Sequence, residues 1–261
     1  MEAGQNLAPP AASEVPEAKP QGFFARLIGV LFSPGETFVE IVRAPRVIAP
    51  IIAAIVLGLV VSFAMTRRLD FQAMYSQLFE QAVAQGRMQQ EQAEQQAKTM
   101  ARFGPVQFLV FGSLGSLLSA LIVAGIFKGV SAVMGKDNSF KALFAVTLYT
   151  FLAVGIISSL VFVISLYLKD PSEITFQNLG NLVASNLGAV LALALGADGL
   201  PRFVMGLAQR VDVFSIWIIV LLSMGYAAAT PRLKTSTAAT WLVVLYVVYA
   251  LIAAAFGTLQ G

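Results

Sequence analysis

The sequence contains no cysteine and no histidine, and only 12% of its 261 residues are charged. Without cysteine the chain has no disulfide bond, thiolate metal ligand or cysteine nucleophile, and without histidine it has no imidazole ligand and no His-based acid–base catalysis. The formal net charge is only +3, and the clustered basic face that a nucleic-acid partner requires is missing. We therefore expect no catalytic residue, no metal site, no cofactor and no nucleic-acid partner.

The apolar content of the chain indicates a membrane protein. Hydrophobic residues make up 57% of the sequence, and the charged fraction is well below the roughly one quarter that is typical of soluble domains. Several runs approach or exceed the roughly 18 apolar residues that suffice to cross a bilayer. They predict a polytopic helix bundle over residues 47–257 with five spans: 47–65, 105–134, 140–168, 213–229 and 238–256.

The segment 70–103, between the first two spans, is predicted to be a polar helix or helical hairpin. Apolar residues from Phe71 to Val83 recur at helical spacing, and the chain then turns polar through QGRMQQEQAEQQAK. A solvated cap outside the membrane is favoured over a coiled-coil contact, because no heptad pattern is sustained.

The segment 179–196 carries small residues at strict four-residue spacing, namely Gly180, Ala184, Gly188, Ala192 and Gly196. Such a stripe lies along one side of a helix and lets membrane helices pack closely. Because Asn181, Ser185 and Asn186 make the segment only marginally apolar, we predict a short re-entrant or interfacial helix that packs without a ligand. A sixth span is the alternative.

Two segments precede the first span. Residues 1–21 are rich in Ala, Pro and Glu and lack the basic start and apolar core of a signal peptide, so they are predicted to form a disordered tail, passive rather than docking. Residues 22–46 are predicted to form two amphipathic helices divided at Ser33-Pro34-Gly35. Pro34 suits a first helical position, and Ser33 with Glu36 forms a capping box in the sequence.

Each of these two helices has one apolar face in the sequence pattern. On the first helix the face holds Phe23, Phe24, Leu27, Ile28 and Leu31, with Arg26 off it. On the second it holds Phe38, Ile41 and Val42, opposite Glu36, Glu40 and Arg43. Helices of this kind lie in the membrane plane. The predicted interfacial residues are Phe23, Phe24, Leu27, Ser33, Pro34, Glu36 and Phe38. A cytoplasmic collar that packs on the bundle is the alternative.

Basic residues give the predicted orientation of the spans. The two sides are nearly balanced, and the short loop between spans four and five decides between them, since it contains Arg232 and Lys234 and no acidic residue. This loop predicts a cytoplasmic N-terminus.

Few ionisable residues fall within the spans. Lys128 lies near the inner end of span two, where its side chain reaches the surface. A Ser–Lys hydrolase built on Lys128 and Ser131 has no supporting strand, turn or glycine signature, and no phosphate-binding or dinucleotide-binding loop occurs. Gly125 and Gly129 form a GxxxG motif, for which packing within the bundle is favoured over dimerisation.

The motif DVFSIW opens span four. Asp212 is predicted to cap the N-terminus of this helix, where the helix dipole favours a negative charge. Phe214 and Trp217 are three residues apart, and both are predicted to lie at headgroup depth. Capping and anchoring account for all three residues, and a partner-binding role would be additional.

The order of these features resembles the Yip-one domain family, particularly its bacterial branch. A Pro-containing turn followed by Phe38 leads through Pro45 into span one, GKDNSFK at residues 135–141 enters span three ahead of Tyr149, and Asp-x-Phe-x-x-Trp opens span four. The resemblance covers roughly residues 22–257. One departure is that relatives often carry a proline shortly after this tyrosine, whereas Thr150-Phe151-Leu152-Ala153 has none.

The resemblance implies an all-α, five-span membrane protein with a cytoplasmic N-terminus and no enzymatic activity. Eukaryotic relatives bind Rab-type GTPases, but their GTPase-binding segment is not recognisable here, and the composition suggests a bacterial inner membrane. We expect a membrane scaffold or adaptor whose partners are the lipid bilayer and either another membrane protein or a second copy of the chain. The alternative is a small-solute or ion transporter that uses 179–196 as a discontinuous helix.

Overall fold

The computed structural model describes residues 21–176, 178–196 and 199–259, which form ten α-helices. The predicted tail at 1–21 lies, apart from Gln21, outside these residues. The helices are α1 Phe23–Phe32, α2 Pro34–Arg43, α3 Ile48–Arg68, α4 Phe71–Ala84, α5 Gln90–Val133, α6 Phe140–Leu168, α7 Leu187–Leu195, α8 Arg202–Arg210, α9 Val213–Ala229 and α10 Thr235–Leu259. The all-α helix bundle predicted from the sequence is confirmed.

Among the described residues four helices, α3, α5, α6 and α10, are long and apolar enough to cross a membrane. The predicted count of five is corrected on this point, because α9 has 17 residues and a length of about 25 Å, against roughly 30 Å for the hydrocarbon core. Its limits have local causes. Asp212 caps its first turn, and Thr230 takes an extended conformation ahead of Pro231, as residues before proline do.

Helix α9 nevertheless runs antiparallel to α6 between opposite ends of the bundle. At one end the Asn138 side chain, just before α6, donates to Thr230 Oγ1 at 3.0 Å. Further along, Thr147 Oγ1 and the Tyr226 hydroxyl are 2.6 Å apart. At the other end Phe214 and Phe162 line the same cavity. The spacing of these contacts shows that α9 accompanies α6 over most of its length.

Helix α5 is continuous through Pro105, although span two was predicted to begin there. It has 44 residues and is about 66 Å long, so it extends well beyond a bilayer. Its first four turns pack against α4 as a helical hairpin, and Gly104 leaves room for the Phe71 ring. The predicted polar segment 70–103 therefore continues into the predicted span 105–134 without a break in the helix.

The close helix crossing in the bundle involves glycines other than those predicted. A Cβ on Gly58 of α3 would lie 2.5 Å from Gly112 O of α5, and one on Gly112 would meet Ser62 Oγ. Cβ atoms on Gly125 and Gly129 would meet nothing within 4 Å. The prediction that Gly125 and Gly129 pack within the bundle is wrong, because both lie on the outward face of α5.

The small-residue stripe of 179–196 is not on one helix. A 3-10 turn, Leu179–Asn181, is separated from α7 by residues 182–186. The last of these, Asn186, is extended and pairs with Asp212 in an isolated β-bridge. Gly180 meets no neighbour, whereas Gly188 lies against Gln209 of α8. The prediction of a single continuous stripe is therefore wrong, and Gly188 is the glycine in it that permits a close contact. Ala184 lies in the turn before α7 and is exposed.

Candidate functional site

The N-terminal hairpin, residues 23–43, docks on the bundle through a buried arginine. Arg26 is the one charged residue of α1, and its exposed fraction is 0%. Its Nη1 donates to Ala44 O at 2.8 Å, and its Nη2 lies 3.2 Å from Glu40 Oε1 on α2. The sequence pattern puts Arg26 off the apolar face of α1, whereas the structure buries it against protein. The sequence pattern identified the apolar face of α1 but could not show that the side carrying Arg26 meets protein.

The surroundings of Arg26 join three helices. The guanidinium lies within electrostatic reach of the Tyr149 hydroxyl on α6, and the Phe23 and Tyr149 rings have centroids 6.0 Å apart. Glu40 Oε1 also accepts from Gln21 N. A buried charge is retained where its partners are in place, because desolvation without them is costly. The hairpin is thus held in one position on α6.

The second helix of the hairpin contributes to the bundle core. Phe38 and Ile41 are fully buried there. Gly225 of α9 leaves room for the Phe38 ring, because a Cβ on Gly225 would lie only 3.1 Å from that ring. The predicted capping box is wrong, because the Ser33 side chain makes no capping bond. Instead Thr37 Oγ1 donates to Ser33 O at 2.9 Å, and Pro34 takes the predicted first position.

The hairpin also has an outward apolar face, which we call the outer stripe: Phe24, Ile28 and Phe32, exposed by 73%, 57% and 81%. Their four-residue spacing puts them on one side of α1. The predicted interfacial residues separate accordingly. Phe24 is on the outer stripe, Phe23 and Leu27 pack partly on the core, Phe38 belongs to the core, and Ser33 and Glu36 are exposed.

A polar network closes the same end of the bundle. Lys128 Nζ donates to Asn138 O at 2.5 Å, and Asn138 Nδ2 donates to Ser131 Oγ at 2.8 Å. Ser131 Oγ donates to Phe127 O at 2.8 Å. Ser131 Oγ also donates to the backbone Lys128 O at 2.9 Å. The Lys128 ammonium is bonded to Asn138 O and not to the Ser131 hydroxyl, unlike the pair that a Ser–Lys hydrolase requires.

The DVFSIW motif is used internally at the opposite end of the bundle. Asp212 Oδ1 accepts from Phe214 N at 2.9 Å and from Ser215 N at 3.1 Å, so the predicted N-cap is present. Asp212 Oδ2 accepts from the Ser185 hydroxyl, and Val213 N donates to Ser185 O at 3.1 Å. The motif thereby fixes segment 179–186 against the start of α9. Trp217 packs partly against the bundle core.

A cavity of about 320 Å³ lies beside this junction, between α3, α6, the segment 179–185 and the start of α9. Phe162 and Phe214 form part of its wall, and Ser158, Ser159 and Ser185 place hydroxyl groups on it. It shares Val61 and Ser159 with a second cavity of about 170 Å³ between α3, α5 and α6. Within the described residues, no group of three His, Cys, Asp or Glu side chains is arranged to hold a metal ion.

Sequence reasoning missed Arg26, Glu40 and the Gly58–Gly112 crossing. Ala54, Gly58 and Ser62 stand at four-residue spacing in the sequence, a small-xxx-small signal that marks the true α3 contact. The Arg26–Glu40 pair left no such local signal, because the two residues lie on different helices and meet only after the chain turns at Ser33.

Comparisons with known proteins agree with this architecture. Searches of curated proteins and of solved structures return no match. The model of the Yip1 domain matches residues 28–257, from the middle of α1 almost to the end of α10. The matched region includes most of the N-terminal hairpin and all or nearly all of each helix that, within the described residues, is long enough to cross a membrane. The chain is an integral membrane protein that belongs to the Yip1 family.

Proposed function

We propose that this protein is a non-enzymatic membrane scaffold or adaptor whose N-terminal hairpin presents the outer stripe to lipid or to another membrane protein. The observation that carries this proposal is the fixed position of α1. Its inner face is held by Arg26, while Phe24, Ile28 and Phe32 remain exposed on the other face. Exposed apolar side chains that are grouped on one surface in this way are typical of interaction sites.

The position of the hairpin supports a cytoplasmic membrane surface for this interaction. Lys136 Nζ lies 3.5 Å from Arg232 O, so the α5–α6 and α9–α10 turns meet at the hairpin end of the bundle. Lys141 and Lys234 are close to these turns in sequence. Clustered basic residues favour the cytoplasmic side and attract anionic headgroups. We infer a cytoplasmic N-terminus and, with the bacterial character of the sequence, an inner-membrane location.

The test is a comparative cross-linking and co-purification from the protein's own membranes. The triple variant Phe24→Ser, Ile28→Ser, Phe32→Ser removes the outer stripe without touching Arg26. A matched control, Leu78→Ser with Met100→Ser, changes exposed apolar residues of the α4–α5 hairpin. A protein or lipid recovered with the wild type and the control but lost from the triple variant is the expected result. Equal recovery from all three, with unchanged melting, contradicts the proposal.

Small-solute transport is a second candidate, favoured by one observation. The segment 179–196 is discontinuous and lines the 320 Å³ cavity, as broken helices do at transporter sites. Gly188→Leu would clash with Gln209 on α8 and displace this segment. Solute uptake into proteoliposomes that is abolished by Gly188→Leu and retained by Gly180→Leu, a position with open space, would support transport. If the wild type takes up none of a panel of solutes, transport is contradicted and the adaptor role remains the proposed function.

A further inference from the structure

The 320 Å³ cavity has the size and lining of a small-molecule site. Pockets for small ligands span roughly 300–1,000 Å³ and combine apolar walls with a few polar groups. Here the walls include Phe162 and Phe214, and the polar groups are the hydroxyls of Ser158, Ser159 and Ser185. The cavity lies at the end of the bundle opposite the N-terminal hairpin, so any ligand here is separate from the adaptor surface.

Two of the three hydroxyl groups, those of Ser158 and Ser185, already donate a hydrogen bond within the protein. Ser185 donates its proton to Asp212 Oδ2, and Ser158 donates its proton to Gly155 O at 3.2 Å. A serine hydroxyl has one donor and two acceptor positions. The Ser158 and Ser185 hydroxyls have therefore used their donor and can still accept. At these two positions the wall favours a ligand that donates hydrogen bonds.

The formal charge that is hydrogen-bonded to the cavity wall is negative. The Asp212 carboxylate is one hydrogen bond behind Ser185, and no Lys or Arg forms an ion pair with it in the described part of the chain. The guanidinium of nearby Arg210 is instead placed over the Tyr249 ring, 5.6 Å from its centroid. A carboxylate without an ion pair behind the wall and aromatic rings in it both favour a cation.

The second cavity provides space for an apolar substituent. Its volume is about 170 Å³, and it adjoins the first at Val61 and Ser159. Leu57, Phe151 and Leu152 are among its lining residues. A ligand with a polar head at Ser185 and an apolar body directed towards Leu57 would occupy both volumes.

We propose that these joined cavities bind the ammonium group of a primary amine that carries an apolar substituent. The ammonium N–H groups donate to the Ser158 and Ser185 oxygens, and Asp212 supplies the balancing charge. A quaternary ammonium has no N–H to donate and binds more weakly. The amine is either free in solution or the ethanolamine headgroup of a phospholipid, and both sources offer the same chemistry.

The free source is tested on the full chain in nanodiscs of phosphatidylcholine, whose headgroup is quaternary. Calorimetric titration uses benzylammonium, benzyltrimethylammonium and benzyl alcohol. The expected result is saturable binding of benzylammonium that is weakened at least about tenfold by trimethylation, by the neutral alcohol and by Asp212→Asn, as the loss of a charge-assisted hydrogen bond predicts. Asparagine remains a good N-cap, and Ser185→Ala gives a second variant that leaves Asp212 in place. The control Ser236→Ala, at the hairpin end, binds like the wild type.

The lipid source is tested in nanodiscs that contain phosphatidylethanolamine and phosphatidylcholine. Native mass spectrometry of the released protein counts the lipids that stay bound. Phosphatidylethanolamine retained by the wild type and by Ser236→Ala, and lost from Asp212→Asn and Ser185→Ala, assigns the site to the headgroup. Benzylammonium binding without retained lipid assigns it to a free amine. The proposal is overturned if the wild type neither binds benzylammonium nor retains this lipid, if benzyl alcohol binds as tightly as benzylammonium, or if neither variant reduces binding.

Discussion

The Arg68 guanidinium donates to Lys169 O at 2.6 Å, so the last residue of α3 holds the C-terminal end of α6. The same side chain also reaches Leu166 O and Tyr167 O, each at 3.4 Å. The last carbonyl groups of a helix have no partner within the helix, and a guanidinium fork can satisfy several at once. Two neighbouring basic residues thus have different roles, because Arg67 is exposed and makes no such contact in the described structure.

Replacement of Arg68 should destabilise the bundle, and replacement of Arg67 should not. Arg68→Lys leaves a single ammonium in place of the fork, and we expect a loss of about 1–2 kcal/mol in unfolding free energy, on the scale of a charged hydrogen bond that is partly exposed. Arg67→Lys should stay within about 0.5 kcal/mol of the wild type. Thermal melts in one detergent compare the two. Equal melting temperatures would show that the α6 end does not depend on Arg68.

The Arg26–Glu40 pair should behave as a coupled unit. Arg26→Met leaves Glu40 without its partner and is expected to cost about 3–5 kcal/mol, as breaking a buried pair does. The double variant Arg26→Met, Glu40→Met should be less destabilised than the sum of the two single variants. Limited proteolysis at the hairpin and thermal melts measure both effects. Strict additivity would mean that the two side chains do not interact.

The glycines of α3 and α5 give an internal comparison. Gly58→Leu forces a side chain into the Gly112 backbone and should destabilise the bundle by about 3 kcal/mol or prevent folding, at the upper end of the cost of overpacking. Gly125→Leu points into open space and should not lower stability, since leucine has the better helix propensity. Melting of both variants tests this. A folded Gly58→Leu variant with wild-type stability would contradict the α3–α5 crossing.

The side of the membrane on which each end of the bundle lies is directly testable because the chain has no cysteine. Cysteines introduced at Glu173 and Thr235 lie on opposite sides of α9 in the chain. In intact cells an impermeant maleimide should label Glu173→Cys and not Thr235→Cys, and permeabilisation should expose the second. Labelling of Thr235→Cys alone would reverse the orientation. Labelling of both before permeabilisation would contradict the placement of these two positions on opposite sides of the membrane.

Local features of the fold could be read from the sequence because neighbours in the chain decide them. The apolar runs predict α3, α6 and α10, since a helix satisfies its own backbone groups in lipid. Ser33-Pro34-Gly35 predicts the break between α1 and α2, and Asp212 predicts the start of α9 by capping it. The family resemblance predicted from the order of these motifs is confirmed by the Yip1 domain match over residues 28–257.

The candidate sites depended on contacts between residues distant in the chain. Arg26 is buried because Glu40, Ala44 O and α6 surround it, although its position in α1 suggested an exposed residue. The helical stripe predicted for 179–196 is broken because Asn186 pairs with Asp212. Gly58 meets a neighbour and Gly125 does not. The long spans are apolar on most sides, so their sequences do not show which side faces another helix, and packing decides it. The sequence alone determined which segments are helical and apolar, and the tertiary structure decided which faces meet, since only long-range packing distinguishes one apolar face from another.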